Sequence, residues 1–150
     1  MATLSAPLTA PSVVGYPFDQ APDLRVDAIR AKLSPSAIRA FVKIVGKWGL
    51  TEAEARALLG GLASSTYHAW KTKPPDKRLD QDTLVRISLV LGIYKALNTY
   101  FGKPWSDRWV KLGNRGPLFA GHSPLEYMLY AGQPGMVHVR QMLDSWRGGR

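Results

Sequence analysis

Two short helical segments separated by a glycine pair occupy residues 51–71, TEAEARALLGGLASSTYHAWK. Thr51 and Glu54 have the spacing of a capping box, which predicts the start of a helix there. Gly60–Gly61 interrupts the helix, and a second helix is expected from about Ser64. Two short helices joined by a glycine turn are typical of the DNA-binding helix-turn-helix, whose second helix lies in the major groove.

The second segment has polar side chains at the positions where a recognition helix contacts bases. The pattern places Leu62 in the turn and points Tyr67 and Trp70 inward, so the outward positions remain free. Hydroxyl and imidazole groups can pair with several bases and discriminate less than an Arg–guanine pair. On this segment alone, a structural helical hairpin remains the alternative. The predicted DNA contacts are Ser64, Ser65, Thr66, His68, Lys71 and Lys73, with Lys77 and Arg78 as further phosphate contacts.

The charge distribution favours a polyanionic partner. The chain has 20 Lys and Arg against 11 Asp and Glu, a formal net charge of +9 and a pI near 10. Residues 34–78 carry eight basic and three acidic groups and residues 103–150 carry seven and three, whereas 1–33 and 79–102 are neutral. Lys and Arg that displace counterions gain binding free energy on nucleic acid. A basic protein that merely stays soluble is the alternative.

Several classes of protein are excluded or made improbable by composition. The absence of cysteine excludes a disulfide framework, a thiolate zinc site and a cysteine nucleophile, and it makes the cytoplasm the default location. The first residues lack the features of a signal peptide, and no apolar run approaches the roughly 18 residues of a membrane span. Neither a phosphate-binding loop nor a Gly-x-Ser-x-Gly elbow occurs, so we expect no enzyme and no cofactor. His122 and Glu126 are better explained by a capping box than by a metal site.

The rest of the chain predicts an all-α fold with about seven helices. Residues 1–23 contain four prolines among small residues and predict a flexible arm, which we extend to residue 33, where a helix opens at Ser34–Pro35. Asp80 caps the longest predicted helix, which reaches about Phe101 and is apolar on two sides. Such a helix is buried either within a bundle or partly against a second copy, which favours a homodimer. Further helices are expected from Ser123 and from about Pro134.

The C-terminal half resembles a known family. After Trp105 and Trp109 in a short helix, residues 112–129 read LGNRGPLFAGHSPLEYML, and a final helix closes on glycine. Together with the basic helical segment before it, this resembles the Xre/MbcA/ParS antitoxins of bacteria, which join an Xre-like helix-turn-helix to a C-terminal toxin-binding domain. The resemblance covers roughly residues 30–150. The family usually has Pro-Asn in the turn, where this chain has Gly113–Asn114.

The resemblance implies a partner toxin of the RES type, an enzyme that consumes NAD. The C-terminal domain would hold this toxin inactive, and the complex would bind operator DNA and repress its operon. The expected division is an arm at 1–33, a helix-turn-helix and dimerisation domain at 34–102, and a toxin-binding domain at 103–150. The predicted toxin contacts are Trp105, Asn114, Arg115, Arg140, Trp146, Arg147 and Arg150.

Two features leave alternatives open. If the C-terminal tail enters the toxin, Arg140, Arg147 or Arg150 would occupy the position of the NAD pyrophosphate or block entry to the NAD site. The alternative is a frayed C-terminus. The function has two rivals as well. One is a free-standing dimeric helix-turn-helix regulator, which would bind its operator without a partner. The other is an interaction scaffold whose helix-turn-helix no longer reads DNA.

Overall fold

The computed structural model describes residues 21–72 and 78–148, with side chains described as far as Trp146. Within these ranges the chain is helical and has no strand, which confirms the all-α prediction. The elements are α1 (Asp27–Trp48), α2 (Glu52–Leu58), α3 (Ser64–Thr72), α4 (Gln81–Tyr100), α5 (Trp105–Arg108), a 3-10 turn (Trp109–Lys111), α6 (Pro124–Ala131) and α7 (Gln133–Gly148).

The predicted start of the first helix at Ser34–Pro35 is wrong, because α1 begins at Asp27 and contains Pro35 in its interior. Ser34 is fully buried and does not cap a helix. Its hydroxyl donates to the carbonyl of Arg30 at 2.6 Å and accepts from the backbone N–H of Leu79 at 2.9 Å. Ser34 thus joins α1 to the chain just before α4. Residues 1–20 of the predicted arm lie outside the described residues, whereas its residues 27–33 belong to α1.

Three predicted helix starts are confirmed. In each, the side-chain oxygen of the capping residue accepts a hydrogen bond from the backbone N–H of the third helical residue, at 3.1, 2.8 and 3.1 Å. Such bonds satisfy N–H groups that have no partner within the helix. Two of the caps are complete capping boxes, closed by Glu54 and Glu126. The capping residues are Thr51, Asp80 and Ser123.

The longest helix, α4, lies at the centre of the fold. It packs against both α1 and α7, and its apolar side chains are covered on both sides within one chain. The expected two-sided burial is therefore found, and it is satisfied without a second copy of the chain. The homodimer consequently remains a prediction, and the burial of α4 does not depend on it. The buried apolar residues of α4 are Leu84, Ile87, Val90, Ile93 and Leu97.

A glycine in α4 leaves room for an arginine side chain of α7. A Cβ atom added at Gly92 would lie 1.5 Å from Nη1 of Arg140 and 2.6 Å from its Cζ. The guanidinium group of Arg140 therefore rests directly on the backbone of α4. Its Nε donates to the carboxylate of Asp144, one turn further along α7, at 3.1 and 3.2 Å. Glycine at position 92 allows α7 to place a charged side chain against α4.

Candidate functional site

The helix-turn-helix geometry predicted for residues 51–71 is present in α2 and α3. Gly60 and Gly61 have φ angles of +83° and +90°, a region that favours glycine, and they turn the chain between the two helices. Arg56 fixes the turn because its Nε donates to the carbonyl of Leu62 at 2.7 Å. Tyr67 and Trp70 are buried as predicted, with ring centroids 6.1 Å apart. These two aromatic side chains hold α3 against the core.

The outward side of α3 carries most of the predicted DNA contacts. Ser64, Ser65, His68 and Lys71 are exposed, whereas Thr66 is half-buried. The ammonium group of Lys71 lies 5.6 Å from the centre of the Tyr67 ring. Arg78 is exposed, and its Nη1 lies 3.8 Å from a carboxylate oxygen of Asp27. Lys73 and Lys77 lie outside the described residues.

Glu52 contacts two of the predicted DNA-reading residues, and no local sequence pattern indicates these contacts. The hydroxyl of Ser64 donates to Oε2 of Glu52 at 2.8 Å, and Nε2 of His68 lies 3.4 Å from Oε1. The hydrogen bond from Ser64 holds the pKa of the Glu52 carboxyl below its usual value, so this group is ionised at neutral pH. A carboxylate therefore sits at the start of α3, where it can accept from a base amino group or repel a phosphate.

The loop between the 3-10 turn and α6 is closed by Asn114. The backbone N–H of Asn114 donates to the carbonyl of His122 at 3.1 Å, and its own carbonyl accepts from Gly121 at 2.7 Å. The side-chain oxygen accepts from the backbone N–H of Gly116 at 2.8 Å. Asn114 is half-buried and shapes the loop from inside, while its neighbour Arg115 is exposed.

The predicted tryptophan contacts lie on the surface of the C-terminal half. Trp105 is 56% exposed, and the guanidinium of Arg108 lies 5.8 Å from its ring centre. Trp146 is 42% exposed and belongs to an aromatic cluster. Its ring makes edge contacts at centroid distances of 5.9, 6.5 and 6.2 Å with Tyr100, Phe101 and Trp109.

The three predicted arginine contacts of the last helix and tail differ in what the structure shows. Arg140 is mostly buried between α7 and Gly92, paired with Asp144, so its side chain is directed at the protein's own core helix. The side chain of Arg147 and the whole of Arg150 lie outside the described residues. The prediction of a tail that enters the toxin therefore stays a prediction.

An aromatic groove that the sequence did not predict lies on α6. It has a volume of about 310 Å³ and is lined by Phe119, His122, Glu126, Tyr127 and Tyr130. Tyr130 is 92% exposed, and the Tyr127 hydroxyl shares a hydrogen bond of 2.7 Å with Nδ1 of His138. The available signal was helical spacing, because Tyr130 falls off the face that buries Leu125 and Met128.

Glu126 closes the capping box of α6, and His122 lies beside it. The backbone N–H of Ser123 donates to Glu126 at 2.8 Å, which lowers the pKa of that carboxyl, and Nδ1 of His122 lies 3.7 Å from Oε1. Over residues 21–72 and 78–148, no group of three or more potential ligands is placed to hold a metal ion. None of the described helices is both long and apolar enough to cross a membrane.

Comparisons with known proteins agree with this arrangement. The family model of the antitoxin Xre-like helix-turn-helix domain matches residues 25–92, and that of the antitoxin Xre/MbcA/ParS C-terminal toxin-binding domain matches residues 96–149. The chain is also similar to an uncharacterized protein, y4oB, of Sinorhizobium fredii. The two are 35% identical over 116 residues, which cover 77% of this chain and 87% of the relative. The resemblance seen in the sequence is confirmed, and the chain belongs to the Xre/MbcA/ParS family of antitoxins.

Proposed function

We propose that this antitoxin neutralises a RES-type toxin that consumes NAD, and that the complex binds operator DNA to repress the operon encoding both proteins. The observation that carries the proposal is the union of two domains in one chain, a helix-turn-helix matched at 25–92 and a toxin-binding domain matched at 96–149. We further propose that the protein acts in the cytoplasm as a homodimer, because operators read by helix-turn-helix proteins present paired half-sites.

The DNA-binding half of the proposal rests on α3. Ser65 and His68 lie exposed on the side opposite to the buried Tyr67 and Trp70, which is where base contacts form in this motif. Basic side chains follow the helix and supply phosphate contacts. The proposed DNA contacts are Ser64, Ser65, Thr66, His68, Lys71 and Lys73.

The toxin-binding half of the proposal rests on the exposed aromatic side chains of residues 96–149. Trp and Tyr are over-represented at the energetic centres of protein interfaces, and Trp105, Trp146 and Tyr130 are all exposed here. Asn114 supports this surface by holding the loop that presents Arg115. The proposed toxin contacts are Trp105, Arg115, Trp146, Arg147 and Arg150, to which we add the exposed Tyr130. Asn114 and Arg140 would support these contacts from within the domain.

Co-expression with the product of the adjacent gene tests the toxin pairing. We expect a stable complex by size-exclusion chromatography with light scattering, and cellular NAD that stays at its normal level only when the antitoxin is present. A Trp105→Ala/Trp146→Ala double variant should lose protection of NAD, while Lys43→Gln on the exposed side of α1 should keep it. If the antitoxin elutes alone and the cellular NAD level is the same with and without it, the toxin pairing is wrong. A free-standing regulator is then the better hypothesis.

A second experiment tests operator reading. Ser65→Ala/His68→Ala should weaken binding to the operator more than binding to unrelated DNA of equal length, because base contacts specify sequence whereas phosphate contacts do not. Fluorescence anisotropy with both duplexes measures this ratio. An unchanged ratio would mean that α3 does not read the sequence, and the chain would then act as a scaffold.

A further inference from the structure

The aromatic groove on α6 lies within the toxin-binding domain. Its lining residues fall between Phe119 and Tyr130, inside the region 96–149 that the model of that domain matches. Phe119 is buried and Tyr127 is half-buried, whereas Tyr130 is 92% exposed. The open ring surface of the groove therefore comes mainly from Tyr130.

Glu126 gives this groove a negative charge. The backbone N–H of Ser123 donates to Oε1 and holds the pKa of the Glu126 carboxyl below its usual value, so the carboxylate is ionised at neutral pH. Nδ1 of His122 lies 3.7 Å from the same oxygen. Both contacts fall on Oε1, and the side chain is 63% exposed. Oε2 is therefore left to accept from a partner.

Glu126 differs from the other acidic side chains of its domain. Within residues 96–148, the other two acidic side chains each pair with a basic side chain four residues away, at 2.9 and 3.1 Å. These pairs are Lys103 with Asp107 and Arg140 with Asp144. Glu126 has no lysine or arginine partner among the described residues, and none of them lines the groove. The groove thus presents a carboxylate that lacks a basic partner.

A partner that covers the groove has to neutralise this carboxylate. An apolar side chain placed there would bury an unpaired charge, which is costly, and a phosphate or an acidic side chain would be repelled. A guanidinium group pairs with carboxylates and also stacks on aromatic rings. Glu126 and Tyr130 are four residues apart on α6, so they are neighbours on one face of the helix. One guanidinium group is therefore able to contact both side chains.

We propose that the groove binds an arginine side chain of the partner toxin, with its guanidinium group between the carboxylate of Glu126 and the ring of Tyr130. The proposal rests on the proposed function, since it takes the toxin as the partner. It adds the chemistry of one contact: the toxin presents a cation to this groove, although the antitoxin as a whole has a net charge of +9.

A change of charge at position 126 tests the ion pair. Glu126→Gln removes the charge and keeps the capping box, because a glutamine oxygen also accepts from the N–H of Ser123. We expect it to weaken binding of the toxin encoded by the adjacent gene by about fivefold at low salt, and by less as salt rises. Glu54→Gln makes the same change in the capping box of α2 and should leave the affinity unchanged. Biolayer interferometry measures the affinities, and thermal unfolding checks the fold of each full-length variant.

Changes at position 130 separate stacking from apolar packing. Tyr130→Phe keeps a ring and should bind the toxin within about twofold of the wild type, whereas Tyr130→Leu removes the ring face and should weaken binding by about fivefold. The combined loss in Glu126→Gln/Tyr130→Leu should be smaller than the product of the single losses, because both side chains act on one cation. Wild-type affinity in Tyr130→Leu, or independent effects of the two changes, would overturn the proposal.

The outcomes distinguish this proposal from the proposed function. If the wild-type antitoxin binds the toxin and Glu126→Gln binds it equally well, only the groove proposal fails. If the variants at positions 126 and 130 turn an antitoxin dimer into a monomer without the toxin, as light scattering would show, a second copy occupies the groove and the proposal is again wrong. If the wild-type antitoxin binds no toxin, both proposals fail together.

Discussion

At the scale of single residues, Glu52 places a negative charge beside the start of α3. Its carboxylate accepts from Ser64 and lies 3.4 Å from His68, on the side of α3 proposed to meet DNA. We expect Glu52→Gln to raise operator affinity about threefold at low salt, because one repulsive charge is removed and the gain is screened as salt rises. Anisotropy titrations at two salt concentrations measure this. Asp82→Asn, on α4, removes an equal charge and serves as the control; an equal gain in both variants would contradict the assignment.

At the scale of elements, the capping residues predicted where helices start. Contacts between residues far apart in the sequence could not be predicted. Thr51, Asp80 and Ser123 cap helices as the sequence indicates, because a cap needs only residues three apart. Val26, which precedes α1, makes no side-chain cap, so the sequence contains no capping signal at the true start of this helix. The Ser34–Pro35 pattern therefore predicted a start that lies inside α1. Its true start depends partly on Arg30, which donates to the carbonyl of Leu79 at 3.1 Å, 49 residues away. No local pattern contains that contact.

The cap of α4 yields a prediction with a pH dependence. Asp80→Ala should destabilise the fold by about 1 kcal/mol at neutral pH, because the backbone N–H of Thr83 loses its acceptor. That N–H also lowers the pKa of the Asp80 carboxyl from its ordinary 3.8. A lowered pKa in the folded state gives stability that is present above 3.8 and is lost as pH falls through the lower folded value. Urea unfolding at pH 7 and pH 2 should therefore show a smaller difference in unfolding free energy between the wild type and Asp80→Ala at pH 2. Asp80→Asn, which still accepts, is the control and should stay near the wild type at both pH values.

The packing of α4 against α7 gives a second prediction at this scale. Gly92→Leu should destabilise the protein by about 1 kcal/mol, because its side chain displaces the Arg140 guanidinium from α4 and from Asp144, while the better helix propensity of leucine offsets part of that cost. Gly92→Leu/Arg140→Ala should recover a large part of this loss, since truncation of Arg140 reopens the space. Urea unfolding of the four proteins completes the double-mutant cycle. Additive effects of the two changes would show that Gly92 and Arg140 are not coupled.

At the scale of the whole molecule, the sequence reveals what lies within one motif and misses what distant segments build together. The helix-turn-helix and its inward Tyr67 and Trp70 lie within a single stretch of 21 residues, so their pattern is readable. Trp48 at the end of α1 and Asp107 in α5 line one cleft, although they are 59 positions apart in the chain. Glu52 meets Ser64 only after the turn folds back. Such sites follow from tertiary packing, which periodicity and capping rules do not describe.

The charge of the whole chain predicts how operator binding depends on salt. If Lys71, Lys73, Lys77 and Arg78 each neutralise one phosphate, log K should fall against log salt concentration with a slope of about −3.6 per bound copy. A homodimer on two half-sites would double this slope. Lys71→Gln should reduce its magnitude by about 0.9 per copy, while Lys95→Gln in the neutral block 79–102 should not change it. Anisotropy titrations between low and physiological salt give the slopes. A wild-type slope shallower than about −1 would mean that this basic cluster does not contact phosphates, and the positive charge would then serve the toxin interface alone.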